Sequence, residues 1–411
     1  MSKASGYCDP AFAKIGDVFT KAIESEFELG ASLAIEHKGK MVVDMFGGHK
    51  DIKRTKPWEE NTIVNVFSVT KGVAATCIAK LIDEGKLDVN NKVSFYWPEY
   101  GCNGKENTRV SDLLCHRSAM FGFQDGMPSG PWQNWEVFTK ALEIQKPFKE
   151  PGSAQGYHAL TYGWLVGEII RRVDGRHTGQ YFTEEIAEPF GIDFQIGLNQ
   201  SDFERCADMI MLDDFGRKKN SIDYMELIKY VPNFILPKRY WNLKEAIKGG
   251  DFKVAFEGRE EDPIGYHNLP DWRMAQVPSA NGHGTAHSLA KLYGILSNGC
   301  QRDGHQIMKP ETLDYAIIPL SSGPDSVLFG SNITFGLGYE LGKNSMPVGN
   351  FAPKFKNAMF GHAGVGGGVA FGDIENQLGF GFVCNQMHEV KNLYKTVNEI
   401  MDALFAKLEN K

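Results

Sequence analysis

The sequence lacks the features that mark several special classes of protein. Its 7 cysteines are an odd number scattered between Cys8 and Cys384 without a C-x-x-C pair, so the spacing predicts neither a disulfide framework nor a zinc site. No run approaches the ~18 apolar residues of a membrane-spanning helix, and the N-terminal stretch has no apolar segment typical of a signal peptide. We therefore expect a cytoplasmic protein with no membrane span, no metal ion and no other cofactor.

An excess of positive charge is absent as well. Lys and Arg number 44 against 51 Asp and Glu, which gives a net charge of −7. A nucleic-acid-binding protein normally carries a basic stripe, so no nucleic-acid partner is expected. Apolar residues make up 42% of the chain, a share that is ordinary for a globular protein with a large core.

Both ends of the chain combine a predicted helix with predicted antiparallel strands. A helix is predicted from Asp9 to Phe27, and a β-hairpin with its turn at residues 37–40 follows. Near the other end, residues 357–387 alternate short apolar runs with turn residues, which predicts antiparallel strands. A helical apolar stripe then runs from Val390 to Leu408. These matching patterns indicate one α/β unit assembled from both ends of the chain.

The middle of the chain differs from its ends. Helical patterns dominate from about Val110 to Tyr240, whereas the polar stretch from Leu236 to Pro278 predicts a long irregular connection. We predict an α+β protein with a discontinuous α/β domain, residues 1–100 and 275–411, and a mainly helical domain, residues 101–274. Its antiparallel sheet is expected to be flanked by N- and C-terminal helices.

The sharpest chemical signal is Ser68 followed by Lys71, at the start of a predicted helix that ends before Gly85. One turn apart, the two side chains share a face. The helix dipole and burial would both lower the pKa of Lys71, which would place a neutral amine beside a hydroxyl. That pair is a general base beside a nucleophile. S-x-x-K is common by chance, so a helix-capping serine and a solvated lysine are the plainer interpretation of this motif alone.

Two later segments strengthen the functional interpretation. Tyr157 lies in a loop that leads into an apolar helix at Leu165, so its hydroxyl can project into a cleft, although a loop tyrosine more often only packs. Residues 360–368 combine His362 with several glycines, whose backbone N–H groups are unshielded, as an oxyanion pocket needs. The alternative is a glycine-rich hairpin that lets the chain pass close to a neighbouring strand.

In this order, the three segments resemble the penicillin-recognising serine hydrolases, which include AmpC-like class C β-lactamases, D-Ala-D-Ala carboxypeptidases and related esterases. That family carries S-x-x-K, then Y-x-N, then K-T-G or H-x-G on a strand beside the cleft. The corresponding positions here are Ser68 and Lys71, Tyr157, and residues 362–364. Three further segments resemble the family more weakly: residues 110–118 with LL-x-H-x-S, residues 281–285, and residues 335–339.

The resemblance implies a β-lactamase/transpeptidase-like fold with the active site at the interface of the two domains. It also implies acyl transfer from a small-molecule acyl substrate. Ser68 would attack the carbonyl carbon, and Lys71 and Tyr157 would share the proton transfers. His362 would orient or polarise the leaving side.

The oxyanion would lie between the backbone N–H groups of Ser68 and Val365, so the backbone around Gly364 matters as much as the side chains. Two departures from the family pattern bear on the substrate. Ala159 replaces the asparagine of Y-x-N, and H-A-G replaces K-T-G, which exchanges a cation for an imidazole and loses the threonine hydroxyl at Ala363. These changes remove groups that bind amides and carboxylates, which favours an esterase-like hydrolase of small esters over a β-lactamase.

Other functions stay open at this stage. A catalytically weak scaffold or assembling protein would keep the fold, since fold does not determine function. A D-amino-acid peptidase or a β-lactamase would need another group in place of the missing amide. His283 and His287 are spaced like zinc ligands, but Gly284 stands where a zinc protease has glutamate, so no zinc pair is predicted. The oligomeric state is undetermined, and a homo-oligomer stays open.

Overall fold

The computed structural model describes residues 3–211, 244, 248–263, 265–343, 350 and 352–409. The strands of these residues are, in chain order, β1 Ala4–Cys8, β2 Gly30–His37, β3 Lys40–Gly48, β4 Val64–Asn65, β5 Phe194–Ile196, β6 Gly282–Gly284, β7 Gln301–Arg302, β8 His305–Gln306, β9 Ser321–Pro324, β10 Asn332–Phe335, β11 Glu340–Leu341, β12 Met359–Ala363, β13 Val369–Asp373 and β14 Leu378–Cys384. The helices are α1 Ala13–Glu24, α2 Val69–Asp83, α3 Val93–Tyr96, α4 Val110–Leu114, α5 Trp135–Ile144, α6 Thr161–Asp174, α7 Thr178–Phe182, α8 Glu188–Phe190, α9 Asp251–Phe256, α10 Pro270–Met274, α11 Ala286–Ser297, α12 Pro310–Ala316 and α13 Lys395–Glu409.

Within the described residues, nine strands form one antiparallel sheet in the order β1-β3-β2-β14-β13-β12-β11-β10-β9. The two ends of the chain meet where β2 pairs with β14, with Ala31 opposite Cys384. The predicted hairpin between β2 and β3 is confirmed. Its turn residues Lys38 and Gly39 have φ angles of 52° and 75°, the left-handed conformation that a two-residue hairpin turn requires.

Helices cover both faces of the sheet, which explains why β2 is buried along nearly its whole length. On one face Leu33 and Ile35 share a core cluster with residues of α1 and α13. On the other face Ala34 belongs to a second cluster, which includes α2 and α11. Helix α11 lies so close to β14 that a Cβ at Gly379 would overlap the carbonyl oxygen of Ala290.

The α+β class is confirmed, with an antiparallel sheet flanked by α1 and α13 and a run of helices between residues 93 and 274. The domain boundaries stay a prediction. The irregular connection predicted from Leu236 to Pro278 is wrong for its described part, which contains α9, α10 and a 3₁₀ turn. Tertiary packing stabilises such short helices, as Trp272 of α10 is buried and donates to Asn65 Oδ1 at 2.6 Å. Most of residues 236–247 lie outside the described residues.

No helix in the described part of the chain combines the length and the apolar character needed to cross a membrane.

Candidate active site

Ser68 occupies the N-cap position of α2, but its side chain makes no capping hydrogen bond. The preceding residue, Phe67, has a φ angle of 47°, so a tight left-handed turn leads into the helix. Ser68 Oγ lies 3.1 Å from Lys71 Nζ and accepts a hydrogen bond of 2.8 Å from the Tyr157 hydroxyl. The plainer interpretation of Ser68 as a helix cap is therefore wrong. The structure brings together the three side chains that the sequence singled out first.

Lys71 is completely buried, and its ammonium group has no carboxylate partner among the ion pairs of the described residues. Its Nζ donates to the carbonyl oxygens of Ala159 at 2.8 Å and Ser279 at 3.0 Å. Burial lowers the pKa of Lys71 well below its usual value of 10.5, because the charged form loses its hydration. A neutral amine has two N–H bonds and one lone pair. The two N–H bonds can donate to the carbonyl oxygens of Ala159 and Ser279, and the lone pair can accept a hydrogen bond from the Ser68 hydroxyl.

Tyr157 lies in the loop before α6, and only 5% of its surface is exposed. The centroid of its phenol ring lies 4.8 Å from the centroid of the His116 ring and 4.7 Å from Lys71 Nζ. Burial raises the pKa of Tyr157 well above 10, and the hydrogen bond with Ser68 only partly offsets this. The phenol is therefore protonated at neutral pH and is a hydrogen-bond donor to Ser68.

His362 lies at the end of β12, beside Tyr157 and outside the hydrogen bonds around Ser68. The two rings are 6.0 Å apart, and His362 Nδ1 donates to the Ala363 carbonyl at 2.7 Å. Within the described residues, His362 Nε2 is buried without a hydrogen-bond partner. Burial lowers the pKa of His362 to about 3, so the imidazole is neutral and presents an unprotonated Nε2.

The glycine-rich turn between β12 and β13 packs against the turn that precedes Ser68. The N–H of Gly364 donates to the Gly368 carbonyl at 2.8 Å, so Gly364 is not itself a free donor. In contrast, the N–H groups of Ser68 and Val365 make no hydrogen bond to any part of the chain that the structure describes. Val365 is 38% exposed. Two unpaired amides are what an oxyanion site requires.

Replacing Gly364 by alanine is expected to destabilise the protein and slow its reaction. A Cβ at Gly364 would overlap the carbonyl oxygen of Val66, so the turn that carries Val365 must shift. Overpacking of this kind costs about 1–3 kcal/mol, and loss of one oxyanion donor lowers the rate by about 10²-fold. Thermal unfolding and ester hydrolysis measure the two effects.

Gly368→Ala is the matched control in the same turn, because a Cβ there would lie 3.5 Å from the nearest atom, the Phe382 carbonyl oxygen. Equal losses of stability and rate in the two variants would contradict the steric argument for Gly364.

Three contributors to the site carry no sequence signal. The Ser279 carbonyl oxygen accepts a hydrogen bond from Lys71 Nζ, and Asp325 Oδ1 accepts one from the N–H of Tyr157 at 3.0 Å. Glu340 on β11 places Oε2 3.9 Å from His362 Nδ1, and burial raises the pKa of Glu340 to about 7. Asp325 follows Pro324 in a typical turn sequence, and Glu340 lies in a two-residue strand, so neither stands out before the chain is folded.

Comparison with known proteins agrees with this geometry. The model of the β-lactamase family matches residues 17–402. The chain belongs to the β-lactamase family. It is 32% identical over 384 residues to the esterase/β-lactamase LipL of Mycobacterium tuberculosis. The aligned region covers 93% of this chain and 83% of LipL.

Two solved structures have the same fold. A penicillin-binding-protein homologue from Caulobacter crescentus superposes with a TM-score of 0.82 at 32% identity, covering 98% of this chain and 100% of that one. A family VIII carboxylesterase gives a TM-score of 0.82 at 31% identity, with the same coverage. The β-lactamase/transpeptidase-like fold and the assignment to the serine hydrolases are confirmed.

Proposed function

We propose that this β-lactamase-family hydrolase is a carboxylesterase that forms an acyl-enzyme at Ser68 with small, uncharged esters. The observation that carries the proposal is the position of Ser68 Oγ, 3.1 Å from Lys71 Nζ and 2.8 Å from the Tyr157 hydroxyl. A nucleophile is activated when a base accepts its proton within hydrogen-bond distance. The names of LipL and of the family VIII carboxylesterase point to the same activity.

In the acylation step, the Ser68 hydroxyl donates its proton to the neutral amine of Lys71 as Oγ bonds to the ester carbonyl carbon. The carbonyl oxygen takes up the electron pair and lies between the free N–H groups of Ser68 and Val365. Collapse of this intermediate breaks the bond to the alcohol oxygen. Tyr157 donates a proton to that oxygen and regains one from the Lys71 ammonium group.

Deacylation repeats these transfers with water in place of the serine hydroxyl. A water molecule gives one proton to Lys71, its oxygen bonds to the acyl carbon, and the acid leaves as Ser68 recovers its proton. Both steps use Lys71 as base and acid in turn, so its amine must be neutral in the resting enzyme. Complete burial lowers the pKa of Lys71 well below its usual value, which supports that state.

The surroundings of Ser68 favour uncharged esters over substrates that carry a carboxylate. His362 stands where the family has the lysine of K-T-G, and its pKa, lowered to about 3 by burial, leaves it uncharged. Ala159 has no side-chain amide, and its carbonyl already accepts from Lys71. A site that lacks the partners for a polar group loses most of its preference for substrates bearing that group.

We expect kcat/KM for p-nitrophenyl acetate or butyrate to exceed that for nitrocefin and for a D-Ala-D-Ala peptide by at least ~10²-fold. Steady-state hydrolysis of the three substrates by one enzyme preparation measures the ratios. Ser68→Ala, assayed in parallel, removes any background turnover from the comparison. Faster turnover of nitrocefin or of the peptide than of both esters would contradict the assignment to esters.

A further inference from the structure

Asp325 is a buried carboxylate that the reaction described above does not use. It lies in the turn between β9 and β10, and none of its surface is exposed. Its Oδ1 accepts three backbone N–H groups, those of Tyr157 at 3.0 Å and of Val327 and Leu328 at 2.9 Å each. Its Oδ2 accepts from Gln155 Nε2 at 3.3 Å. No cation pairs with it among the described residues.

Burying a carboxylate with neutral donors alone is costly, and burial raises the pKa of Asp325 despite these four hydrogen bonds. Two of the donors, the N–H groups of Val327 and Leu328, belong to the same turn as Asp325. The other two come from Gln155 and Tyr157, about 170 residues earlier in the chain, with sequence separations of 170 and 168. The carboxylate therefore joins the β9–β10 turn to the loop that carries Tyr157.

The same loop is held at further points along its backbone. The N–H of Ser326 donates to the Gln155 carbonyl at 3.1 Å. On the other side of Tyr157, the N–H of His158 donates to His116 Nδ1 at 3.1 Å. Of these contacts, the one from Asp325 is made to the backbone of Tyr157 itself, whose hydroxyl bonds to Ser68 Oγ.

We propose that Asp325 is a positioning residue that fixes the Tyr157 backbone, and through it the phenolic hydroxyl, at hydrogen-bond distance from Ser68. The proposal rests on the proposed function, in which Tyr157 transfers a proton during acylation. Because a displacement of about 1 Å can cost ~10²-fold in rate, loss of the anchor is expected to slow acylation by about that factor. Substrate binding, which does not depend on Tyr157 proton transfer, is expected to change little.

The test is a double-mutant cycle in single-turnover acylation by p-nitrophenyl butyrate. It compares wild type, Asp325→Ala, Tyr157→Phe and the double variant. We expect Asp325→Ala to slow acylation by ~10²-fold in the wild-type background and to have almost no further effect once the Tyr157 hydroxyl is gone. Equal losses in both backgrounds would show a general structural effect and overturn the proposal.

Asp325→Asn is the conservative variant, and it keeps the oxygen that accepts the Tyr157 N–H. It is expected to retain most of the acylation rate, and it tests the proposal even if Asp325→Ala fails to fold. A loss in Asp325→Asn as large as that in Tyr157→Phe would overturn the proposal. Failure of the proposed function would appear separately, as the absence of acylation in the wild-type enzyme, and would overturn both.

Discussion

Replacing Ser68 by alanine is expected to lower kcat/KM for p-nitrophenyl esters by about 10⁴-fold or more, the scale seen when a serine hydrolase loses its nucleophile. The change removes the Oγ atom that lies between Lys71 and Tyr157. Neither neighbour can replace it, because Tyr157 is a protonated phenol and Lys71 is held by two carbonyl groups. Initial rates measured with a purified, folded variant give the ratio.

Ser153→Ala is a suitable control for this experiment. Ser153 lies in the segment that leads to Tyr157, but its hydroxyl donates to the Glu150 carbonyl at 2.6 Å in an exposed turn. Its loss is expected to leave the rate close to that of wild type. Ester turnover by Ser68→Ala at more than about a tenth of the wild-type rate would exclude Ser68 as the nucleophile, since a loss of ~10⁴-fold or more is expected when the nucleophile is removed.

Replacing Lys71 by arginine is expected to lower kcat/KM by about 10³-fold, near the upper range of the contribution of general base catalysis. Arginine carries a positive charge and cannot lose its proton in a protein, so it cannot accept the proton of Ser68. Were Lys71 needed only as a cation, arginine would preserve much of the rate. Lys80→Arg is the matched control on the same helix, because Lys80 forms an i,i+4 ion pair with Glu84 at 3.0 Å.

The pH dependence gives an independent test of the role of Lys71. Its pKa is lowered by burial, and the proposed mechanism requires the neutral amine. We therefore expect kcat/KM to rise with pH through that lowered pKa and then level off. The limb should be absent from the residual activity of Lys71→Arg. A limb of the same shape in both proteins would contradict the assignment of Lys71 as base.

Two other titratable groups near Ser68 bear on this profile. The pKa of His362 is lowered to about 3, so His362 adds no step above pH 5. Glu340 has a pKa raised to about 7 by burial, and its ionisation falls in the range of the assay. The variant Glu340→Gln removes this step, so that a limb that remains in it belongs to Lys71.

The parts of the site that follow from local spacing were predictable from the sequence. The i,i+3 spacing of Ser68 and Lys71 on an apolar helix places both on one face, and the structure has them 3.1 Å apart. The resemblance to the penicillin-recognising serine hydrolases implied that Tyr157 and His362 lie in the same region. The hairpin at residues 37–40 was predictable for the same reason, since its turn is a local property of the chain.

The parts that depend on contacts between distant segments were not predictable. The carbonyl group of Ser279 accepts from Lys71 across 208 residues, and every residue has such a carbonyl. Ser68 lies at the N-cap position, but its side chain makes no capping hydrogen bond and contacts Lys71 and the Tyr157 hydroxyl instead. Short helices such as α9 and α10 are too brief for periodicity, and the burial of Trp272 became apparent only in the folded chain.

The measurement that tests the account most directly is peptide mass spectrometry of the enzyme after rapid quenching with a slowly hydrolysed ester. The account predicts one added acyl group, located on Ser68, which forms more slowly in Lys71→Arg and not at all in Ser68→Ala. An acyl group on another residue, or equal labelling of Ser68→Ala, would contradict the claim that Ser68 attacks the ester with the neutral amine of Lys71 as its base.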